Sequence, residues 1–257
     1  MIDTHSHIYD PAFDNDREQA ILRAKEVGIT QLILPNVDLS TVKQMRETVE
    51  RYPDFTVCAM GLHPTEIRDG WREDLKSIKE DFYANYATAR YCAIGEIGID
   101  LYWDKTYIDE QKLAFKEQMK WALELDLPVI LHIRKAYAEI FEELSSLRHN
   151  HFKGVFHCFG GGIEEARKAV SLGFSLGIGG VLTYKNSNLP NIVKEIGLDY
   201  ILTETDDPYL PPVPYRGMRN EPSYMKFVVD KLADIFDENA ESIDEITTSN
   251  AHKTFNI

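Results

Sequence analysis

The chain has 257 residues, of which 44% are hydrophobic and 27% charged, proportions that exclude a disordered or fibrous protein. Its 28 lysines and arginines stand against 42 aspartates and glutamates, which gives a formal net charge of −14 at pH 7. This charge argues against a protein that coats nucleic acid or binds an anionic membrane through a cationic surface. It leaves open an enzyme that meets a phosphodiester in one local cleft.

The amino terminus and the cysteines bear on the cellular compartment. The chain opens Met-Ile-Asp-Thr-His, without the basic and apolar regions of a signal peptide, and it has no apolar run of the ~18 residues that a membrane span needs. Cys58, Cys92 and Cys158 lie in or next to predicted strands and have no Cys-x-x-Cys spacing. Free thiols of this kind favour a reducing compartment. We therefore expect a cytoplasmic protein with no membrane association and no obligate protein partner.

Eight β-rich runs alternate with amphipathic stretches along the chain, about 28 residues apart, a spacing typical of repeated strand-helix units. The predicted strands are Ile2–His5, Gln31–Leu34, Phe55–Met60, Tyr91–Glu96, Val129–His132, Gly154–His157, Phe174–Gly177 and Tyr200–Glu204. Predicted helices lie between them, and two of these show clear apolar faces at helical spacing, formed by Ile21, Ala24 and Val27 and by Phe115, Met119 and Ala122.

Eight such units in one chain of this length predict an α/β fold, a (β/α)8 TIM barrel that forms a single domain over residues 1–257. The alternative is a doubly wound open sheet. That fold would carry a glycine-rich nucleotide-binding turn after the first strand, where this chain has Thr4-His5-Ser6-His7 instead. No linker or charge block marks a domain boundary.

Ionisable side chains gather where the predicted strands end, which is where a barrel builds its active site. Five of the eight histidines lie at or just after strand ends, whereas His149, His151 and His252 do not. Glu96 ends the fourth strand and Asp206 follows the eighth. Each residue alone has an ordinary structural interpretation, but four of these histidines together with the two carboxylates favour a two-metal centre. The predicted ligands are His5, His7, Glu96, His132, His157 and Asp206.

The chain resembles the TatD family of metal-dependent deoxyribonucleases, in the amidohydrolase-like barrel superfamily. The resemblance spans nearly the whole chain and rests on an ordered series of motifs. They are Asp3-Thr4-His5-Ser6-His7, Gly61-Leu62-His63-Pro64, Gly95-Glu96-Ile97-Gly98-Ile99-Asp100, Pro128 through His132 to Arg134, His157-Cys158-Phe159, Glu204-Thr205-Asp206 and Arg219-Asn220-Glu221-Pro222.

This resemblance implies two divalent metal ions bridged by Glu96. One would be held by His5, His7, Glu96 and Asp206, and the other by Glu96, His132 and His157. Asp206 would orient the attacking water and accept its proton, and His63 would contact the scissile phosphate or assist the leaving group. We expect Mg or Mn to support activity, with Zn also able to occupy the site. Asp207 departs from the family, which has a small residue there; its carboxylate could raise the pKa of Asp206 or tighten metal binding.

Substrate binding in so acidic a chain must be local. Arg134, Lys185 and Arg219 follow strands five, seven and eight, and we predict that they grip two or three phosphates. Loop aromatics on the same face are candidates for base stacking, namely Tyr102, Trp103, Tyr184, Tyr209 and Tyr215. The predicted substrate is a short single-stranded DNA end, cleaved from its 3′ side as the resemblance implies.

Two other interpretations stay open. The same metal centre could hydrolyse a non-nucleic-acid ester, lactone, amide or phosphotriester, because a fold does not determine a function. Alternatively, the metals could only stabilise the barrel of a non-catalytic protein.

Overall fold

The strands of the computed structural model, which describes residues 1–147 and 152–257, form one parallel eight-stranded sheet in chain order. They are β1 Ile2–Asp3, β2 Gln31–Pro35, β3 Thr56–Met60, β4 Tyr91–Asp100, β5 Val129–Arg134, β6 Gly154–Phe156, β7 Phe174–Ile178 and β8 Ile201–Thr203. All eight predicted strands are therefore present, with small shifts at their ends.

Hydrogen bonds join the last strand to the first. The Thr4 amide donates to the Thr203 carbonyl at 3.1 Å, and the Asp206 amide donates to the His5 carbonyl at 2.9 Å. The sheet thus curls into a nearly closed barrel, as the sequence predicted, and the open doubly wound alternative is wrong.

Helices follow the strands and cover the barrel. They are α1 Arg17–Glu26, α2 Val42–Arg51, α3 Trp71–Asn85, α4 Ile108–Leu125, α5 Tyr137–Ser146, α6 Ile163–Ser171, α7 Leu189–Ile196, α8 Met225–Phe236 and α9 Ala240–Phe255. The predicted apolar faces of α1 and α4 are buried, apart from Val27, which ends α1 half-buried. Within the described ranges, every helix is too short or too polar to cross a membrane.

The longest strand, β4, continues four residues beyond its predicted end at Glu96, and all ten of its residues are buried. It does so because β5 keeps pairing with it, with Gly98 opposite His132 and Asp100 opposite Arg134. This pairing places several of the candidate site residues on two adjacent strands.

The last helix contributes to the core of the barrel. Ile33, Val57 and Ile130 of the strands form a buried cluster with Ala251 and Phe255, so the last helix packs against the barrel. Cys58 and Cys92 are buried free thiols, as predicted, and Cys158 is a partly exposed one. His149 and His151 lie outside the described residues.

Candidate metal centre

The carboxyl ends of the strands bring the six predicted ligands to one place. Four of them follow a strand, whereas His132 and Glu96 lie within β5 and β4, two and four residues before the strand ends, and all six are buried or partly buried. They are His5 and His7 after β1, Glu96 on β4, His132 on β5, His157 after β6 and Asp206 after β8. Residues from position 5 to position 206 of the chain thus meet at a single face of the barrel.

One group of candidate ligand atoms consists of the His5, His7 and Asp206 side chains. The two Nε2 atoms lie 3.1 Å apart. Each is 3.7 Å from Oδ1 of Asp206. Two ring nitrogens and a carboxylate oxygen so close together, on a buried site, have the spacing and chemistry of a cation site.

The Glu96 carboxylate turns one oxygen toward each half of the site. Its Oε2 lies 3.2 Å from His5 Nε2 and 3.8 Å from His7 Nε2. Its Oε1 lies 2.7 Å from His132 Nδ1 and 3.4 Å from His157 Nε2. This arrangement suits a carboxylate that bridges two cations, the role that the resemblance implied for it.

Hydrogen bonds behind two of the histidines determine which ring nitrogen is free to bind a cation. The Tyr9 hydroxyl donates to the Pro35 carbonyl at 2.6 Å, so the oxygen accepts from His7 Nδ1 at 3.0 Å. At His132, Nε2 donates to Asp100 Oδ2 at 2.9 Å. The other nitrogen of each ring faces the cluster, and in the neutral form of the ring it would offer its lone pair to a cation; at His132 this nitrogen, Nδ1, lies 2.7 Å from Glu96 Oε1.

His63 lies beside the second half of the site, with its Nε2 3.4 Å from Glu96 Oε1 and 3.1 Å from His132 Nδ1. The Thr65 amide donates to His63 Nδ1 at 3.2 Å. The proton of the neutral ring consequently lies on Nε2, which makes that atom a hydrogen-bond donor. A donor there suits the predicted contact with a phosphate or a leaving group better than direct ligation.

Burial and neighbouring carboxylates shift the pKa values of the side chains in the cluster. Burial lowers the pKa of His7 to about 4, and it lowers the pKa of His5 and His63 as well. Burial also raises the pKa of Asp206 to about 7, with help from the charge of Glu96. At His157 the neighbouring carboxylates outweigh burial and raise the pKa to about 10. The imidazoles of His5, His7 and His63 are therefore neutral at pH 7, the form in which histidine binds a metal.

The donor set fits divalent cations. Imidazole nitrogens and carboxylate oxygens lie within 4.8 Å of one another in three groups, which are His5 with His7 and Asp206, His5 with Glu96 and His157, and His63 with Glu96 and His132. The buried Nδ1 of His5 has no hydrogen-bond partner among the residues that the structure describes. A buried carboxylate cluster is costly unless positive charge neutralises it, and cations would do so here.

Two glycines allow this crowding. A Cβ on Gly98, whose φ is +152°, would lie 1.9 Å from the His132 carbonyl oxygen. A Cβ on Gly177 would lie 2.2 Å from Oε2 of Glu204. Only glycine lets the neighbouring strands and the Glu204 carboxylate approach as they do.

A family model described as TatD-related DNase matches residues 2–256, almost the whole chain. The chain belongs to the TatD family. It is 40% identical to the uncharacterized metal-dependent hydrolase YabD of Bacillus subtilis, over all of this chain and 99% of the relative. The 3′-5′ ssDNA/RNA exonuclease TatD of Pectobacterium parmentieri is 30% identical, over the full length of both. The crystal structure of YjjV, a TatD homologue from Escherichia coli K12, superposes with a TM-score of 0.92 at 30% identity and covers 100% of this chain and 98% of that one.

The chain is thus a metal-dependent hydrolase of the TatD family. The three predicted phosphate contacts take different positions in it. Arg134 and Lys185 are exposed. Arg219 instead forms a two-pronged ion pair with Asp16, at 2.6 and 2.7 Å, and its guanidinium lies 4.3 Å from the Phe13 ring centroid. A phosphate would have to compete with Asp16 for Arg219, so the geometry favours the other two residues.

Sequence reasoning gave no individual role to several residues of this TatD-family site. Asp100 orients His132, and Glu204 Oε1 lies 3.1 Å from His157 Nδ1. Tyr9 and Thr65 fix the rings of His7 and His63. The signal was present in part, since Asp100 and Glu204 fall inside the motifs that carry the family resemblance. Tyr9 and Thr65 each stand two residues after a site histidine.

Asp207 corrects one expectation. Its carboxylate is buried and accepts from the Thr205 hydroxyl at 2.7 Å, and the same hydroxyl lies 2.5 Å from Asp3 Oδ2. The side chain therefore joins Asp3 behind the site instead of joining the candidate ligands. Burial, Glu96 and Glu204 account for the raised pKa of Asp206.

Proposed function

We propose that this chain is a deoxyribonuclease that hydrolyses phosphodiester bonds at single-stranded DNA ends, from the 3′ side, with two divalent cations. The observation that carries the proposal is the Glu96 carboxylate, which presents one oxygen to each half of the ligand cluster. Two cations about 3.5–4 Å apart suit an in-line displacement at phosphorus. The naming of a full-length relative from Pectobacterium parmentieri as a 3′-5′ ssDNA/RNA exonuclease supports this substrate class.

The predicted ligands divide between the two cations around Glu96. His5, His7 and Asp206, whose ligand atoms form one group, would hold one. His132 and His157, which both approach Glu96 Oε1, would hold the other. When bound, divalent cations supply positive charge for the phosphoryl oxygens and lower the pKa of water toward ~7. Mg or Mn is the proposed activator, and Zn also suits the imidazoles.

One side chain would accept a proton and another would donate a hydrogen bond. Asp206 is the proposed acceptor for the proton of the attacking water, because its carboxylate lies inside the proposed ligand group, 3.7 Å from His5 Nε2 and from His7 Nε2. His63 carries its proton on Nε2, facing the cluster. From there it would donate a hydrogen bond to a phosphate oxygen or to the leaving oxygen. Arg134 and Lys185 would hold the strand on the rim of the barrel.

The test is the degradation of end-labelled single-stranded and duplex DNA by protein stripped with a chelator and reloaded with Mg, Mn or Zn. We expect metal-dependent shortening from the 3′ end, abolished in Asp206→Asn. Asp234→Asn is the matched control, because Asp234 is exposed on the outer helix α8.

Other outcomes contradict the proposal. Shortening that persists in Asp206→Asn would show that the site is assigned wrongly or that a contaminant cleaves the strand. Folded, metal-loaded protein that cleaves neither substrate but hydrolyses a nitrophenyl ester or a lactone would support the small-molecule hydrolase instead.

A further inference from the structure

An exposed cation-aromatic stack, formed by Tyr102, Trp103 and Arg134, stands on the rim beside the metal centre. The Arg134 guanidinium lies 3.8 Å from the Tyr102 ring centroid and 5.1 Å from that of Trp103. The two rings meet edge to face at 4.9 Å. Tyr102 is 51% exposed and Trp103 is 71% exposed. We call these three residues the rim stack.

The rim stack differs from the ion-paired Arg219 and from the two other tryptophans of the molecule. Within residues 1–147 and 152–257, no carboxylate lies within ion-pair distance of Arg134, whereas Arg219 is paired with Asp16. The other tryptophans, Trp71 and Trp121, are buried. The stack therefore presents large flat surfaces and an unneutralised charge to solvent, which is the composition of a site that binds bases.

One carboxylate ties the rim stack to the metal centre. Asp100 Oδ2 accepts from His132, while its Oδ1 accepts from the Tyr102 amide at 2.8 Å. The backbones of Asp100 and Arg134 also lie opposite each other in the register of β4 and β5. Arg134 therefore lies on the same strand as the candidate ligand His132, and the Asp100 carboxylate holds the start of the loop that carries Tyr102 and Trp103.

We propose that the rim stack binds the unpaired base of a nucleotide next to the scissile phosphodiester, a role that rests on the proposed function. Arg134 then acts through its flat guanidinium face as well as through its charge. A base inside a duplex is stacked on both faces and paired along one edge, so it is not free to lie on these rings. The stack would therefore select single-stranded ends.

The test compares the binding of two 5′-labelled strands, a short oligo(dA) and a matched strand with abasic 3′-terminal sites. Binding is measured by fluorescence anisotropy in the Asp206→Asn protein with Mn²⁺ present, so that the strands are not consumed. We expect Trp103→Ala to weaken oligo(dA) binding by about 5- to 150-fold and to leave abasic binding nearly unchanged. Arg134→Lys keeps the charge but loses the flat face, so it should weaken oligo(dA) binding more than abasic binding.

The matched control is Arg72→Lys, because the Arg72 guanidinium lies 4.3 Å from the Trp71 ring, away from the site on α3. It should bind both strands as the parent does. As a second readout, oligo(dA) should quench the fluorescence of the exposed Trp103 more than the abasic strand does. Equal losses for the two strands would show that the stack contacts only phosphates, and no loss in either variant would show that it contacts nothing; both results overturn the proposal.

Cleavage by the protein with Asp206 intact separates this proposal from the proposed function. DNA cleavage together with base-independent binding contradicts the rim stack alone. Base-dependent binding without cleavage under any metal contradicts the deoxyribonuclease alone. Absence of binding to either strand contradicts both.

Discussion

Side chains behind the candidate ligands decide which ring nitrogen of each histidine carries the proton. Tyr9 and Asp100 each hydrogen-bond the ring nitrogen that faces away from the cluster, so that the other nitrogen of His7 and of His132 faces it. Thr65 does the opposite at His63, where it leaves a protonated nitrogen facing Glu96. Neighbouring histidines of one cluster therefore suit different roles, cation binding or hydrogen-bond donation. The reason is that the tautomer of a neutral imidazole follows from the hydrogen bond at its other nitrogen.

The buried pair Asp3 and Asp207 yields a prediction at the same scale. Burial raises the pKa of Asp207 to about 7, and burial and Asp207 raise that of Asp3. The folded protein therefore keeps a proton that the unfolded chain, with a carboxyl pKa near ~3.9, releases. The free energy of unfolding consequently falls as pH rises from about 4 to about 7.

We expect Asp207→Asn to remove much of this pH-dependent decrease in the free energy of unfolding. The melting temperature at neutral or higher pH should therefore rise by about 2–6 °C. Thermal unfolding across that pH range, in chelator, measures the effect. The exposed Asp234→Asn variant should follow the parent curve. A lower melting temperature for Asp207→Asn at high pH would mean that the ionised carboxylate stabilises the fold.

Strands β4 and β5 form the element on which both proposals depend. Glu96 and Asp100 lie on β4, and His132 and Arg134 lie on β5. Their register is continuous from Ile97 opposite Leu131 onward. One pair of strands therefore sets the positions of Glu96, the proposed bridging carboxylate, of the candidate ligand His132 and of Arg134 in the rim stack.

Gly98 provides the test of this element. Alanine there would place its Cβ 1.9 Å from the His132 carbonyl at a φ of +152°, so β5 would have to move. We expect Gly98→Ala to lower the free energy of unfolding by about 2–4 kcal/mol and to weaken metal binding. Chemical denaturation and metal titration measure the two effects.

Gly217→Ala is the matched control, since Gly217 also has a positive φ, +85°, but a Cβ there would meet nothing within 4 Å. It should show the cost of backbone strain without the loss of metal binding. Equal metal affinities in the two variants would contradict the importance of the β4–β5 contact.

At the scale of the whole molecule, the net charge of −14 repels DNA, and only a few cations on the rim of the barrel attract it. With Arg219 paired to Asp16, Arg134 and Lys185 remain as the proposed phosphate contacts. About two neutralised phosphates predict a shallow salt dependence for single-stranded DNA, with a slope of log K against log salt near −1.4.

Titration of oligo(dA) binding with KCl, at constant metal concentration, measures this slope. Lys185→Ala should make it shallower by about 0.7, since one contact is lost. The exposed Lys43→Ala on α2 serves as the control and should leave the slope unchanged. A slope several times steeper would point to a cationic surface larger than these two residues.

The sequence by itself determined the strand-helix alternation, the family and the set of ionisable residues at the strand ends. These are local properties, because strand periodicity, helix faces and sequence motifs each depend on a few residues that are close together in the chain. The eight strands and the six clustered candidate ligands could therefore be predicted. The extension of β4 to Asp100 could not, because it depends on a partner strand that continues beside it.

Only the tertiary structure decided how distant residues pair. Arg219 meets Asp16 across 203 positions of the chain, and Asp207 meets Asp3 through Thr205. No local pattern encodes such contacts, since they form only when β8 returns beside β1 and closes the barrel. For the same physical reason, the sequence could name Glu96 as a bridging residue, but only closure of the barrel gives each of its two oxygens a different set of neighbours.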